Sequence, residues 1–198
     1  MLHIFWFMVL SETTKKTEAE YFAMDLESEG MLEFYDGRVV VKDRSSTFDH
    51  SRIGANLIGE IGKFLKGKNS RAFYYKLRET TPSGNAYMYP DVTIVCGKAL
   101  LKKDCFDTVT NLSVIMEIMT DATRNIDMGS KFWYSIQIPT LKEYILVDST
   151  RYHVITARRQ AEDTWQFIVT EGIDSSITIN TIEMELPLRD IYDEVSFD

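Results

Sequence analysis

Cysteine is scarce in this chain: its 198 residues include only Cys96 and Cys105. Two thiols cannot build a disulfide framework or a cysteine-lined zinc cage, and such usage fits a reducing cytoplasm. Four prolines and ten glycines exclude collagen-like and Pro-rich low-complexity character. No Walker loop, Gly-x-Ser-x-Gly elbow or Gly-rich dinucleotide fingerprint is present, so no nucleotide cofactor is expected. No repeat and no Gly/Ser linker divides the chain. Of three histidines, His3 and His153 match no motif and read as structural.

A long hydrophobic run is missing as well. Met1 to Leu10 would reach about 15 Å as a helix, roughly half of a membrane's hydrocarbon thickness. It has no basic flank and no small-residue cleavage site, which argues against a signal peptide. We expect residues 1–16 to be an appendage to a single domain spanning 17–198, with no membrane association.

What is present suffices for a core, since 44% of residues are hydrophobic and 12% aromatic. The net charge of −8 hides an asymmetry. Residues 1–36 hold eight acids against two bases and residues 162–198 ten acids against one, so the middle carries +7. Lys63, Lys66, Lys68, Arg71, Lys76 and Arg78 form a stretch without an acid. A polyanion can land there, because binding follows the local field; a solvated helix face and loop accounts for the pattern too.

Thr17 to Met24 reads as a short helix, with Thr17 and Glu20 at capping-box spacing. Leu32 to Val41 reads as a hairpin turning at Asp36-Gly37. Asp49 or Ser51 can cap a helix to about Lys66, and its glycines Gly54, Gly59 and Gly62 suggest close packing against its backbone. Strands follow at 72–79, 91–96 and 113–119, with a polar loop at 97–111 between the last two. A helix over 125–137 ends at Pro139, and strands at 143–148, 152–157, 165–170 and 176–186 lead to a short amphipathic segment at 188–195. The order describes an α/β sandwich with a mostly buried sheet.

Chemistry shows where charge interrupts apolar pattern. Glu117 lies inside Ser113-Val-Ile-Met-Glu-Ile-Met-Thr120, and Asp91 stands just before Val-Thr-Ile-Val-Cys96. A buried carboxylate is costly unless paired or bound to metal. Two such acids at adjacent strand ends can share a hard divalent cation; each can equally cap a strand end or pair with an arginine. Lys131 follows on the next helix, with Asp127 and Thr123 spaced at four-residue intervals before it on the same face. Such a pair is usually a surface salt bridge. Behind a strand that carries a catalytic acid, the lysine can reach the site.

Tyr89-Pro-Asp91, Val114-Ile-Met-Glu117-Ile-Met-Thr120, Thr123-Arg-x-x-Asp127-x-x-x-Lys131 and Ile138-Pro-x-Leu-Lys-Glu143-Tyr-Ile-Leu-Val-Asp148 together resemble the bacterial Uma-two family. That family belongs to the restriction-endonuclease-like PD-(D/E)XK superfamily. The likeness runs from about Thr17 to Val195 through Phe34-Tyr-Asp-Gly37, His50 and Leu186-Pro-Leu-Arg-Asp190-Ile. It implies a restriction-endonuclease-like core, a four-stranded mixed β-sheet flanked by helices, here with an added N-terminal hairpin and C-terminal β-strands. It also implies a metal-dependent endonuclease acting on DNA. Asp91, Glu117 and the Ile118 carbonyl would hold Mg²⁺ (or Mn²⁺), and Lys131 would orient water and stabilise charge at phosphorus. The superfamily's lysine, two residues after the acid, falls here on Met119, so Lys131 takes its place. Asp127 would steady Lys131; Thr120 and Thr123 match the family's hydroxyl positions. Thr120-Asp-Ala-Thr123 departs from the usual Ser-Pro-Ser-Thr and adds Asp121. Glu33 can add a carboxylate and His50 a phosphate contact or proton shuttle, against the plainer roles of a solvent-facing strand acid and a histidine at a helix start. The resemblance implies a homodimer as well, for which residues 1–12 can supply an interface. The competing reading is a non-catalytic nucleic-acid-binding or protein-interaction module on the same fold.

Overall fold

The structure, a computed structural model, describes residues 14–42 and 47–197. The expectations for Met1–Leu10 and His3 therefore lie outside the described residues. Helix α1 (Glu18–Glu27) opens with the expected capping box: the Glu20 N–H donates to the Thr17 hydroxyl at 3.2 Å, and the Thr17 N–H to the Glu20 carboxylate at 2.7 Å. The hairpin of β1 (Leu32–Tyr35) and β2 (Arg38–Val41) turns on Asp36 (φ 48°) and Gly37 (φ 92°). Both left-handed residues match the right-handed strand twist. Helix α2 (Phe48–Leu65) is capped by Thr47, whose hydroxyl accepts from the His50 N–H at 3.1 Å. Asp49 and Ser51, the expected caps, already lie inside the helix.

One expected strand over 72–79 is two, β3 (Ser70–Tyr74) and β4 (Arg78–Thr80). They part because Tyr75 (φ 53°) and Lys76 (φ 66°) are both left-handed, a turn that breaks the ladder. β3 joins the main sheet, while β4 goes to a second one with β5 (Ala86–Met88) and β7 (Thr108–Val109). That second sheet has the order β2-β1-β5-β4-β7. The added N-terminal hairpin forms its edge.

The main sheet has six strands, not four. Its order is β11-β10-β9-β8-β6-β3, with β6 (Val92–Cys96), β8 (Val114–Met119), β9 (Glu143–Asp148), β10 (His153–Arg159) and β11 (Trp165–Glu171). Only β8 and β9 run parallel, and the crossover between them carries α3 (Arg124–Ile126), a π-helical turn (Asp127–Lys131) and α4 (Phe132–Ser135). The expected strand over 176–186 is a separate hairpin, β12 (Ser176–Ile179) with β13 (Met184–Pro187), followed by α5 (Leu188–Ile191). Alternation along β8 sends Val114, Met116 and Ile118 into a core with α2 and the C-terminal segment. Ile115 and Met119 enter the core on the other face, with Leu112, Ile138, Leu141 and Tyr144. Glu117 shares that second face between two apolar neighbours, a position fit for charge only if counter-charge is built nearby.

Of the α2 glycines, Gly54 alone meets the packing expectation. A Cβ there would stand 2.7 Å from the Tyr74 hydroxyl, whereas Gly59 and Gly62 face nothing within 4 Å.

Candidate active site

Glu117 finds its counter-charge in Lys131. Nζ lies 3.0 Å from Glu117 Oε1, 3.2 Å from Glu33 Oε1 and 3.9 Å from Asp127 Oδ1. The π-helical turn turns Asp127 and Lys131 inward and leaves Met128, Gly129 and Ser130 exposed. Such single turns recur at functional sites. The Tyr144 hydroxyl from β9 donates to the Asp127 carbonyl at 3.0 Å and pins the turn. A lysine at position 119 would have shared the Glu117 face, two residues on, but Met119 is wholly buried in the apolar cluster there. The ammonium arrives from the helix instead.

Asp91 enters by sheet register. Val92 pairs with Met116, so the next step outward sets Asp91 opposite Glu117. The Ile118 N–H donates to Asp91 Oδ2 at 2.9 Å, Lys42 Nζ to Oδ1 at 2.9 Å, and His50 Nε2 lies 3.5 Å from Oδ2. Lys42 also donates to the Tyr89 carbonyl. Glu33 is buried, accepts from the Tyr35 hydroxyl at 2.8 Å and the Tyr89 N–H at 3.0 Å, and is no solvent-facing strand acid.

These groups line one pocket of about 650 Å³. Four buried carboxylates (Glu33, Asp91, Glu117, Asp127) share its interior with the ammoniums of Lys42 and Lys131, while Lys15, Asp36 and Arg38 line it from exposed positions. Burial opposes the Lys131 charge, but Glu117, Glu33 and Asp127 outweigh it and raise its pKa well above the ordinary value. Burial likewise opposes the Asp91 charge, yet Lys42 and the His50 contact hold that carboxyl well below its usual range. For Glu117 burial wins: aided by Asp91 and Asp127, it pushes the carboxyl well up despite Lys131. Asp127 is raised by burial too. Both groups of this 3.0 Å contact are shifted upward, which favours the charged lysine and the neutral acid, and the two shifts have one cause. The ammonium has partners in excess and the carboxylates too few cations. We take the Lys131 charge as the secure member, since three carboxylates surround it.

Thr120 and Thr123 line the pocket, but their hydroxyls serve the turn out of β8: the Thr120 N–H donates to Thr123 Oγ1 at 3.1 Å, and the Thr123 N–H to Thr120 Oγ1 at 3.2 Å. Asp121 does not enter; it is exposed and lies 3.6 Å from Arg124. The basic stretch needs one correction. Arg78 is buried, bound to Asp107 at 2.7 and 2.8 Å, Asp25 at 3.1 Å and the Tyr21 hydroxyl at 3.1 Å. An arginine enclosed under α1 cannot meet a phosphate. Lys63, Lys66, Lys68, Arg71 and Lys76 are exposed, yet none lines this pocket. The cations that do, besides Lys131, are Lys15, Arg38 and Lys42. Sequence reasoning missed these, and also Tyr35 and Tyr134, and it assigned Tyr74 and Tyr75 to a strand-rich core. The sequence trace of Lys42 is its place directly after the apolar run Val39-Val-Val41.

A family model described as "Uma2: Putative restriction endonuclease" matches residues 18–189. The chain belongs to the Uma2 family. Two proteins of Synechocystis sp., sll1609 and slr1290, are 24% identical over 177 residues and 22% identical over 183. Those matches cover 89% and 92% of this chain, and 99% and 94% of theirs. The crystal structure described as a putative nuclease belonging to DUF820, from Anabaena variabilis, has a TM-score of 0.73 to this Uma2 chain. It is 17% identical and the match covers 89% of this chain and 97% of that one. Membership of this family indicates a restriction-endonuclease-like nuclease, and the likeness to that structure shows the fold. Among the described residues of this Uma2 protein, no helix is long and apolar enough to cross a membrane.

Proposed function

We propose that this Uma2 protein is a metal-dependent nuclease that hydrolyses DNA phosphodiester bonds. The observation that carries the reading is the buried Lys131–Glu117 pair at 3.0 Å in the pocket that also takes Asp91. Asp91, Glu117 and the Ile118 carbonyl would hold Mg²⁺ or Mn²⁺. Their oxygens are hard donors, and the surplus of buried carboxylates over ammoniums favours a further cation. Among the described residues no three His, Cys, Asp or Glu side chains form a complete cage, which suits an ion that takes one or two carboxylates and keeps its waters. When bound, such an ion polarises the phosphoryl group.

The chain's own residues supply position and charge. Lys131, kept as an ammonium, can donate to the attacking water or to a phosphoryl oxygen and offset the charge that develops there. Glu33 holds Lys131 more closely than Asp127 does, 3.2 Å against 3.9 Å. His50 sits beside Asp91 on the pocket wall, and its imidazole would take the proton that the attacking water gives up.

Plasmid nicking in Mg²⁺ or Mn²⁺ should fall at least about 10²-fold in Glu117→Gln. Equal cutting by both proteins would remove the enzyme from this reading. One observation favours the non-catalytic alternative: both Asp91 oxygens already have partners, from Lys42 and Ile118. Calorimetry with Mg²⁺ separates the two. The nuclease reading expects binding at millimolar metal that weakens in Glu117→Gln, and a folded protein giving no heat favours the module.

A further inference from the structure

The chemistry above leaves the pocket's aromatic lining unused. Tyr35 on β1 and Tyr134 on α4 have ring centroids 5.3 Å apart, and Tyr74 and Tyr75 at the end of β3 lie 6.1 Å apart. All four line the pocket. Tyr74 and Tyr75 are 39% and 42% exposed, and their placement is specified. Tyr75 and Lys76 hold left-handed backbones without glycine, at φ 53° and 66°, a conformation that disfavours bulky residues. Tyr74 rests on the bare backbone of Gly54, where a Cβ would come within 2.7 Å. Exposed Lys15 and Arg38 add positive charge to the same lining.

The reactive groups, by contrast, are deep: Asp91, Glu117 and Lys131 are 5%, 1% and 4% exposed. A phosphate must descend into the pocket to meet them. Duplex phosphates run along the outside of a stiff rod, and one strand cannot dip inward without leaving its partner. An unpaired strand can. Its bases are then free to stack on tyrosine faces, which accept any base, while Lys15 and Arg38 meet its phosphates.

On the nuclease reading above, we propose that the substrate is unpaired DNA, seated by base stacking on Tyr74–Tyr75 and on Tyr35–Tyr134. The test measures binding apart from cleavage. Fluorescence anisotropy in Ca²⁺ compares a labelled single-stranded oligonucleotide with the same strand in a duplex. The single strand should bind at least about tenfold more tightly. Tyr75→Ala should weaken it about five- to a hundredfold, while Tyr75→Phe, which keeps the ring, should leave it within about twofold; circular dichroism checks that both variants fold. Tighter binding to duplex, or no loss in Tyr75→Ala, overturns the proposal. Cleavage of the same two substrates in Mn²⁺ is scored separately. Cutting confined to duplex overturns the substrate class and leaves the nuclease standing. Stacking-dependent binding with neither substrate cut sustains the binding site and overturns the nuclease.

Discussion

Lys131→Met is expected to lower nuclease turnover by about 10² to 10³ and to destabilise the protein by roughly 3–5 kcal/mol at pH 8. Both effects have one cause. The ammonium lies within 3.2 Å of Glu33 and Glu117, which are 3% and 1% exposed. Methionine fills much of the volume but leaves both carboxylates buried without that cation. Glu117, whose carboxyl burial already pushes up, loses the Lys131 charge that opposes the rise, so its folded-state pKa rises further. A carboxyl raised on folding loses stability as pH climbs above its unfolded value, so the deficit should shrink toward pH 5. Urea denaturation of wild type and variant at pH 5 and pH 8 measures this. A deficit that is the same at both pH values would mean that the carboxylates find other partners. Turnover should not recover at pH 5, where the variant is folded but the ammonium is still missing. Recovery would take Lys131 out of the chemistry.

The legible parts of this molecule are those whose physics is short-range. The Asp36-Gly37 turn and the Thr17–Glu20 capping box need only neighbours in sequence, and both appear as expected. Glu117 was legible because it interrupts an apolar strand, and Lys131 because the following helix repeats its face every three or four residues. What stayed hidden depends on non-local approach. Lys42 reads as a lysine leaving a strand, yet it meets Asp91, 49 residues away, at 2.9 Å. Arg78 reads as one of six bases in an open stretch, and only the covering of β4 by α1 shows it to be enclosed. The break between β3 and β4 carries none of the usual turn residues, since Tyr75 and Lys76 adopt left-handed backbones themselves. A strand expected over 72–79 was the reasonable consequence. The π-helical turn has no sequence signature either; it is held from outside, by Tyr144 and by the charges that Asp127 and Lys131 meet.

Glu79→Gln is expected to stabilise the protein, and to do so only above acid pH. Glu79 lies on β4, 1% exposed, behind the site. The Ser135 hydroxyl donates to Oε1 at 2.9 Å, whereas Oε2 has no hydrogen-bond partner among the described residues. Burial is the dominant influence and pushes this carboxyl from 4.5 up to about 8; Ser135 and Lys131 oppose the rise and Glu33 adds to it. Between those two values the folded protein keeps a proton that the unfolded chain has released. Stability therefore falls as pH rises through that window, by about 1.4 kcal/mol per pH unit and roughly 4–5 kcal/mol in all. Glutamine still accepts from Ser135 and presents N–H donors where the protonated acid had its O–H, but it carries nothing to ionise. The variant should match wild type near pH 4.5 and exceed it by several kcal/mol near pH 8, read from denaturation midpoints across the range. Parallel pH profiles for the two proteins would show that Glu79 ionises freely in the fold. The same proton bears on the site: a neutral Glu79 adds no negative charge beside Lys131, whose ammonium then serves Glu117 and Glu33.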